Sequence, residues 1–392
     1  REASRQEERA LEVLASARLV FCTLTVSGCY LVRCMPPVEV LVVDEAAQAT
    51  EPEALIPLGL EPRLMLVCGD PHQLSCTCTS RRAKAAGLER SLMQRLMEAR
   101  SASRFFFLGT QYRMHPAISA FPSRRFYSGR LKDARVCGLR PGLFPPFPAG
   151  PALSPPLSAD DARRDNAPVS PPGSPPGSPW LSRPWSFLDV AGSEERDAGG
   201  SVCNRDEARA VLATVRALRG CGVELGRTRS IRVLTFYSAQ VRCVRRALDA
   251  AGLGEGVMVG TVDGAQGAES DLVILSFVRA NCNASIGFVE DWRRLNVALT
   301  RAKHALIMVG CARTLGSGEA GEAASDLVRA AASASALWRY SYHHGQRGAG
   351  RGGVETLGEQ TVVEAAPQLC ADLLAPAGRY RGDTGDLLAP AG

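Results

Sequence analysis

Short apolar runs alternate with amphipathic stretches along most of this chain, and this alternation limits the fold more than any other feature. The predicted strands lie in ARLVFCTLTVSG, VLVV, LMLV, RFFFLGTQYR, IRVLTF, DLVILSFV and ALIMVG. Helical patterns such as NRDEARAVLATVRALRG and SAQVRCVRRALDAAG lie between them. Strands that are separated by helices pair in parallel through crossover connections. The sequence therefore predicts an α/β fold, with parallel sheets that are covered by helices on both faces.

Two α/β units and two stretches of different composition are predicted. Residues 1–108 form a first unit, and residues 109–315 form a second. Residues 141–184 hold 14 of the 25 prolines. Such a composition cannot bury enough apolar surface to fold, so residues 138–184 are predicted to be a disordered insertion. Residues 316–392 are predicted to be a low-complexity, mostly disordered tail, in which DLLAPAG occurs twice.

Composition excludes some classes of protein. No apolar run approaches the roughly 18 residues that a membrane span needs. The N-terminal segment REASRQEERALEVL lacks the apolar centre of a signal peptide. We therefore expect an intracellular protein of the nucleus or cytoplasm, without a membrane partner. The 13 cysteines show no paired C-x-x-C spacing, and His72, Cys76 and Cys78 lack a second ligand pair at zinc spacing, so reduced thiols are expected.

Positive charge is concentrated in one stretch. The whole chain has a net charge of +6, whereas residues 81–140 contain 14 basic and three acidic residues, a net charge of +11. Such a stretch favours a polyanionic partner. The alternative is a solvated face, or cations that pair with acids elsewhere in the chain.

Acidic side chains follow two of the predicted strands. Asp44 and Glu45 come directly after VLVV, and Asp70 follows LMLVCG, with Gln73 one turn further on. In a parallel sheet the carboxyl ends of strands border a crevice where ligands bind. Asp44 there could meet Mg²⁺ through water, and Glu45 could accept a proton from an attacking water. The amide of Gln73 could hydrogen-bond a γ-phosphate.

Arginines in two segments suit the same chemistry. QYRMHP contains Arg113, and RRLNVALTRAK contains Arg301, which is expected near the end of a helix. Arginines are what a phosphoryl-transfer transition state needs, because its negative charge is spread over several oxygens. For any one of these arginines alone, a surface salt bridge is the simpler interpretation.

A glycine-containing turn is predicted in TVDGAQGAESDLVILS. Gly264 and Gly267 permit a tight turn and a close approach of the backbone. Thr261 could donate to a nucleic-acid phosphate, and Glu269 could accept from a ribose hydroxyl. An ordinary strand–turn–strand is the alternative for this segment by itself.

Six segments together carry a family resemblance: CTLTVSG, VLVVDEAAQ, LVCGDPHQL, QYRMHP, VDGAQGAESDLVILSFVR and RRLNVALTRAK. Their order and approximate spacing resemble those of superfamily 1 helicases, in the branch that contains the nonsense-mediated-decay helicase and senataxin. The resemblance covers about residues 15–312. It implies two RecA-like domains, the first incomplete at its N-terminus, with ATP between them and single-stranded RNA or DNA across their top.

The resemblance also implies roles for individual residues. It makes Asp44 the Mg²⁺ ligand, through water, and Glu45 the catalytic base. The ATP-binding positions are Asp44, Gln73, Arg113, Gly267, Glu269 and Arg301, with Gln73 as the γ-phosphate sensor, Arg113 and Arg301 as arginine fingers and Glu269 as the ribose contact. The nucleic-acid positions are Thr23, Ser27, His72 and Thr261.

One element of the family pattern is missing from the sequence. None of the three lysines, Lys84, Lys132 and Lys303, lies in the G-K-[ST] context of a phosphate loop. In this family that loop lies upstream of the acid pair, and 43 residues precede Asp44. Two hypotheses follow: an ATP-dependent helicase represented by the C-terminal part of its chain, or a non-catalytic nucleic-acid-binding or scaffold protein that has lost the loop.

Overall fold

The protein forms two compact units. A computed structural model describes residues 2–99, 105–139, 180–181, 183–223, 226, 229–317, 321–343 and 360–365. The chain divides into a first unit, Arg1–Gly109, and a second unit, Thr110–Gly392. The two units are described separately below.

The first unit contains a short parallel sheet and several small helices. Strands β1 (Val40–Val43) and β2 (Leu64–Val67) pair in parallel, with Val43 opposite Val67. Val43, Ala46, Ala47 and Met93 form a small apolar core at one end of this pair. The helices are α1 (Glu2–Ser16), α2 (Leu24–Ser27), α3 (Tyr30–Arg33), α4 (Glu51–Leu55), α5 (Arg81–Ala85) and α6 (Leu92–Glu98).

Two segments that we expected to be strands differ in the structure. CTLTVSG contains the helix α2, because the hydroxyl of Thr23 accepts a hydrogen bond from the Val26 amide and caps the first turn. In RFFFLGTQYR only β3 (Thr110–Gln111) is a strand, and Phe106 and Leu108 are exposed. A short apolar run does not distinguish a strand from other structure by its periodicity.

The second unit is built on a seven-stranded sheet in the order β13–β12–β5–β11–β10–β8–β9. All neighbours pair in parallel except β12 and β13, which are antiparallel. The strands of this sheet are β5 (Trp185–Val190), β8 (Ile231–Thr235), β9 (Val257–Thr261), β10 (Ser270–Ser276), β11 (Ala302–Gly310), β12 (Leu337–His343) and β13 (Gln360–Ala365). Two small pairs lie outside it: β3 with β4 (Lys132–Asp133), and β6 (Glu195–Arg196) with β7 (Val202–Cys203). Its helices are α7 (Pro116–Phe126), α8 (Arg135–Gly138), α9 (Arg205–Gly220), α10 (Ser238–Ala250), α11 (Trp292–Leu299), α12 (Ala312–Gly316) and α13 (Glu322–Ser333).

Burial explains why these segments become strands and helices. Leu272, Val273, Ile274 and Leu275 in β10 are all fully buried, as expected for a strand that is covered on both faces. Helices α9 and α10 each bury one apolar face against the sheet core. The predicted α/β class with a parallel sheet is therefore confirmed. Within the described part of the chain, no helix is long and apolar enough to cross a membrane.

The end of the predicted insertion belongs to the core. Trp180 and Leu181 are 4% and 1% exposed, and both join the main apolar cluster of the second unit. The carbonyl of Pro184 accepts a hydrogen bond from the Leu306 amide in β11. The predicted C-terminal boundary of the insertion, at residue 184, therefore lies too far along the chain, because the core of the second unit already includes Trp180 and Leu181. Residues 140–179 lie outside the described residues.

The start of the predicted tail is also folded. Helix α13 and strand β12 follow residue 316, and β12 pairs with β5 in the main sheet. The composition of this segment resembles a low-complexity stretch because alanine supplies much of its buried surface, at Ala323, Ala324, Ala331 and Ala332. Both DLLAPAG copies lie outside the described residues.

A buried carboxyl group joins the ends of three elements in the second unit. Glu207 in α9 accepts hydrogen bonds from the Ser276 hydroxyl at 2.7 Å and the Val278 amide at 2.8 Å. The Gln240 amide donates to the same Ser276 hydroxyl at 3.0 Å. Burial raises the pKa of Glu207 from 4.5 to about 8, although these hydrogen bonds act in the opposite direction.

Replacing this carboxyl group should change how stability depends on pH. Between about pH 4.5 and 8, folded Glu207 is protonated and the unfolded residue is ionised, so stability falls as pH rises, by up to about 1.4 kcal/mol per pH unit. Glu207→Gln should remove this contribution. We would measure urea unfolding by tryptophan fluorescence, which reports the second unit because all four tryptophans, Trp180, Trp185, Trp292 and Trp338, lie there.

The matched control is Glu255→Gln, which makes the same chemical change at an exposed position of the second unit. It should leave the pH dependence of the wild-type protein unchanged. Identical pH profiles for Glu207→Gln and the wild-type protein would show that Glu207 is ionised in the folded state.

Candidate functional site

The acidic segments of the first unit meet at the carboxyl ends of β1 and β2. The Cys68 amide donates to the Val43 carbonyl and the Ala46 amide donates to the Cys68 carbonyl, both at 2.8 Å. At Gly69 an added Cβ would lie 3.0 Å from the Ala46 nitrogen, so this close approach favours glycine. The structure thus brings the Asp44–Glu45 pair next to the segment that begins at Asp70.

Glu45 has an unusual backbone and a constrained side chain. Its φ of 50° lies in the left-handed region, which is uncommon for a residue other than glycine. The Gln48 amide donates to a Glu45 carboxylate oxygen at 3.0 Å, and the Glu45 amide donates to Asp44 at 2.9 Å. Backbone conformations of this kind are concentrated at functional sites.

Asp70 organises the segment that carries Gln73. One of its carboxylate oxygens accepts from the His72 amide and the other from the Gln73 side-chain amide, each at 2.9 Å. This arrangement fixes the plane of the Gln73 amide. His72, which was predicted to contact nucleic acid, is half-buried.

The residues around Asp44 fit a Mg²⁺ ion that is held by one protein carboxylate. Asp44 is exposed, and no group of three potential metal-ligating side chains occurs within the described ranges. Mg²⁺ usually retains several waters and takes one or two carboxylates together with the phosphates of its substrate. A single carboxylate at Asp44 is compatible with that kind of site. Cys76, which was considered with His72 and Cys78 as a zinc ligand in the sequence, is buried. Burial raises the pKa of its thiol, which donates to backbone carbonyls.

Gln111 shapes the QYRMHP segment in the second unit. Its side-chain oxygen accepts from the Arg113 and Met114 amides at 2.9 and 2.8 Å, and its nitrogen donates to the Met114 carbonyl and to Asp133. Met114 is buried. The amide of Gln111 therefore holds the turn from which the Arg113 side chain extends.

Arg113 and Lys303 share one carboxylate. The Arg113 Nε donates to Glu269 Oε2 at 2.7 Å, and the Lys303 Nζ lies 2.5 Å from Glu269 Oε1. The hydrogen bond from Lys303, followed by that from Arg113, lowers the pKa of Glu269 from 4.5 to about 2. Glu269 was predicted to contact a ribose hydroxyl, and in this structure both of its oxygens face cations.

Arg301 lies close to the end of a helix, as expected, but its side chain is buried. The helix α11 ends at Leu299, so Arg301 is in the turn before β11, and it is only 2% exposed. Its guanidinium donates to the Val297 carbonyl at 3.0 Å, the Thr300 hydroxyl at 2.9 Å and the Ala268 carbonyl at 3.3 Å. In this conformation it holds the turn together instead of facing solvent.

The predicted nucleic-acid residues have different environments. Thr23 is exposed, whereas Ser27 is 3% exposed and its hydroxyl donates to the Leu24 carbonyl within α2. In the second unit the Thr261 hydroxyl accepts from the Gly264 amide at 3.3 Å, and Gly267 has a φ of 75°. The glycine turn predicted there is present, and Ser27 is the least accessible of the four candidates.

Ion pairs neutralise part of the basic stretch, which crosses from the first unit into the second. Arg113 pairs with Glu269, and four further cations, Lys84, Arg90, Arg95 and Arg125, pair with Glu89, Glu98, Glu51 and Asp326. Arg81, Arg82 and Arg124 are exposed. Glu89 and Glu98 are already counted in the net charge of +11, so only Glu269, Glu51 and Asp326, which lie outside the stretch, lower the positive charge below that sum.

Comparisons with known proteins agree with the motif pattern. A family described as AAA domain matches residues 88–313, and a second with the same description matches residues 1–81. The chain is 34% identical over 312 residues to "Probable helicase MAGATAMA 3" of Arabidopsis thaliana, covering 78% of this chain and 34% of that protein. It is 35% identical over 320 residues to "Regulator of nonsense transcripts 1 homolog" of Neurospora crassa, covering 80% and 26%, and 32% identical over 312 residues to "Helicase sen1" of Schizosaccharomyces pombe, covering 77% and 16%.

The chain belongs to the superfamily 1 helicases. Within this family it lies in the branch of the nonsense-mediated-decay helicase and senataxin, as the six motifs indicated. It spans between about a sixth and a third of the length of the relatives named above. A solved C-terminal domain of a possible DNA helicase from Lactobacillus plantarum is 17% identical, with a TM-score of 0.25 over 33% of this chain and 74% of that chain, too low to bear on its fold.

Sequence reasoning missed two residues of the cluster around Arg113 and Glu269. Gln111 was considered only as part of QYRMHP. The feature that could have identified it is its position two residues before Arg113 in a tight turn. Lys303 was considered only as a phosphate-loop candidate. Its position two residues after Arg301, at the start of a buried strand, places it at the same sheet end as Glu269.

The two arginines predicted as fingers should differ in their effects on stability. Arg301→Ala removes a buried guanidinium and leaves three acceptors without their donor, so we expect the second unit to lose about 2 kcal/mol or more. Arg113→Ala breaks a partly exposed ion pair and should cost less than about 1 kcal/mol. Urea unfolding followed by tryptophan fluorescence measures both, and equal losses would contradict the structural difference.

Proposed function

We propose that this protein is an ATP-dependent translocase or helicase that acts on single-stranded RNA or DNA with Mg²⁺. The observation that carries the proposal is the acid pair at the end of β1. Glu45 is held in a left-handed conformation with its carboxylate bound to Gln48, directly after Asp44 and beside the Asp70–Gln73 segment. Membership of the helicase family supports the same activity.

The residues of the first unit would handle the attacking water. Mg²⁺, when bound, would neutralise charge on the phosphates of ATP. Asp44 would hold that ion through water, and Glu45 would accept the proton of the attacking water. Gln73, whose amide is fixed by Asp70, would sense the γ-phosphate.

The residues of the second unit would supply positive charge. Arg113 is partly exposed and held by Glu269, which makes it the better placed of the two predicted arginine fingers. The burial of Arg301 supports a positioning role, in which it fixes the turn that also supplies Lys303 and the Thr300 carbonyl bound by Arg113. In this proposal Gly267 and Glu269 shape the turn beside these cations.

We expect the 392-residue chain alone to have negligible ATPase activity. It has no lysine in a G-K-[ST] context, so the β- and γ-phosphates would lack their main electrostatic anchor. ATP turnover would be measured with and without single-stranded nucleic acid. Stimulated turnover that Glu45→Gln abolishes would refute this expectation and would show that the phosphates are held by other residues.

The second candidate is a non-catalytic nucleic-acid-binding or scaffold protein. It would apply to a protein that lacks the G-K-[ST] lysine throughout; none of Lys84, Lys132 and Lys303 lies in that context. A transcript whose reading frame continues upstream of Arg1 into G-x-x-x-x-G-K-[ST] would support the helicase. An in-frame stop immediately upstream would support the non-catalytic protein.

Nucleic-acid binding by the chain should depend steeply on salt. Each phosphate neutralised on a single strand contributes a slope of about 0.7 log units of affinity per log unit of salt. Binding should be largely indifferent to sequence, because backbone contacts carry no base information. Changing the exposed Arg81, Arg82 and Arg124 to Glu should lower both the affinity for oligo(dT) or oligo(U) and the salt slope.

A matched control changes three exposed arginines of α9 and α10, Arg216, Arg219 and Arg246, to Glu. The control alters net charge equally and should retain more affinity than the first variant. If both variants retain the wild-type slope, the basic stretch is not the nucleic-acid footprint. The absence of any binding by the wild-type chain would contradict the proposed nucleic-acid partner.

A further inference from the structure

Phe288 is exposed where its neighbours in the chain are buried. It lies in the short 3₁₀ helix Gly287–Glu290, which connects β10 to α11, and it is 54% exposed. Ile286 and Val289 on either side are 0% and 1% exposed. The two aliphatic side chains anchor the turn in the core, so the half-exposed ring between them is held at a fixed position on the surface.

Several contacts fix the backbone beneath this ring. The Phe288 amide donates to the Tyr237 hydroxyl at 3.2 Å, and the same hydroxyl accepts from Arg279 at 3.3 Å. Arg279 is itself held by two hydrogen bonds to Glu194, at 2.9 and 3.1 Å. At Gly287, φ is 54° and an added Cβ would lie 2.2 Å from Arg279 Nη1, so only glycine permits this approach.

An aromatic ring and a guanidinium flank the Phe288 ring. The centroids of Phe288 and Tyr237 are 5.2 Å apart, and the Arg294 guanidinium carbon lies 5.3 Å from the Phe288 centroid. Arg294 is positioned by Asp263 at 2.9 Å and by Asp291 at 3.2 Å. Aromatic rings and arginine planes are the surfaces on which unpaired bases stack.

The ring also lies near the carboxyl ends of three strands of the sheet. Strands β8, β9 and β10 are parallel and end in register at Thr235, Thr261 and Ser276. Tyr237, which contacts Phe288, follows β8, and Asp263, which binds Arg294, follows Thr261 in the glycine turn. Arg294 therefore connects Phe288 to the turn in which Thr261 is predicted to contact a nucleic-acid phosphate.

We propose that Phe288, together with the Arg294 guanidinium that lies over its ring, forms a base-stacking contact for single-stranded nucleic acid whose backbone follows the Thr261 turn. This inference rests on the proposed function and deepens it by naming a contact to the bases in addition to contacts to the backbone. Stacking tolerates any base, since every base has an aromatic face. Bases paired in a duplex are not accessible to the ring, so the contact selects single strands.

The test compares affinities of purified 392-residue variants for oligo(dT) and oligo(U) over a range of salt concentrations. Phe288→Leu keeps an apolar side chain and removes the ring. It should weaken binding by about 5- to 150-fold at every salt concentration, the range that loss of one stacked base predicts. The salt slope should stay unchanged, because no phosphate contact is lost. Phe288→Trp should retain wild-type affinity.

Two controls isolate the base contact. Met258→Ala removes an apolar side chain that is 43% exposed on β9 and should bind as the wild type does. An abasic strand of equal length presents the phosphates without bases, so wild type and Phe288→Leu should bind it equally. Circular dichroism melting checks folding, and Phe288→Met replaces Phe288→Leu if the latter is unfolded.

Failure of the inference differs from failure of the proposed function. Wild-type binding with undiminished affinity in Phe288→Leu and Phe288→Met overturns the stacking contact and leaves nucleic-acid binding intact. An equal loss of affinity for the abasic strand, or a changed salt slope, also overturns it. No binding of any single strand by the wild-type chain would overturn both.

Discussion

The carboxylate of Glu269 joins three segments that lie far apart in the sequence. It binds Arg113, which is 156 residues away, and Lys303 at the start of β11. Backbone hydrogen bonds reinforce the junction, from the His115 amide to the Lys303 carbonyl at 2.8 Å and from the Ser270 amide to the Arg301 carbonyl at 3.0 Å. The ion pairs are partly exposed and contribute little stability in themselves. Their effect is to hold two cations at fixed positions, as the proposed site for the phosphates of ATP would require before the ligand arrives.

The sheet could be predicted from sequence because its strands are buried on both faces. The run DLVILS has four consecutive apolar residues, Leu272 to Leu275, and a central parallel strand buries all four of these side chains. The same rule failed for RFFFLG, in which Phe105 and Phe106 are exposed in the structure. Composition also predicted disorder where the chain is folded. In α13 the buried alanines resemble a low-complexity stretch, and Trp180 is a core residue within a proline-rich segment.

The sequence motifs predicted individual residues of the candidate site better than they predicted which of these residues contact one another. The motifs identified Arg113, Glu269 and Arg301 separately, but sequence alone gives no indication that the first two bind each other. The burial of Arg301 follows from α11 ending at Leu299, and helix ends are set by packing and capping, which a periodic pattern predicts poorly. The basic stretch was visible as composition, yet its ion pairs depend on acids that the fold brings close, such as Asp326 for Arg125.

The strand order has a consequence for how the protein is synthesised. β5 lies between β11 and β12, and β12 is covered on its other side by β13 at Gln360–Ala365. The first strand of the sheet to leave the ribosome therefore has neither neighbour until most of the second unit has been translated. Its apolar side chains Phe187, Leu188 and Val190 remain without partners during that time. Folding of this sheet is dominated by non-local contacts, and a ribosome that stalls before β13 releases a product with an open strand edge, a form prone to association with other chains.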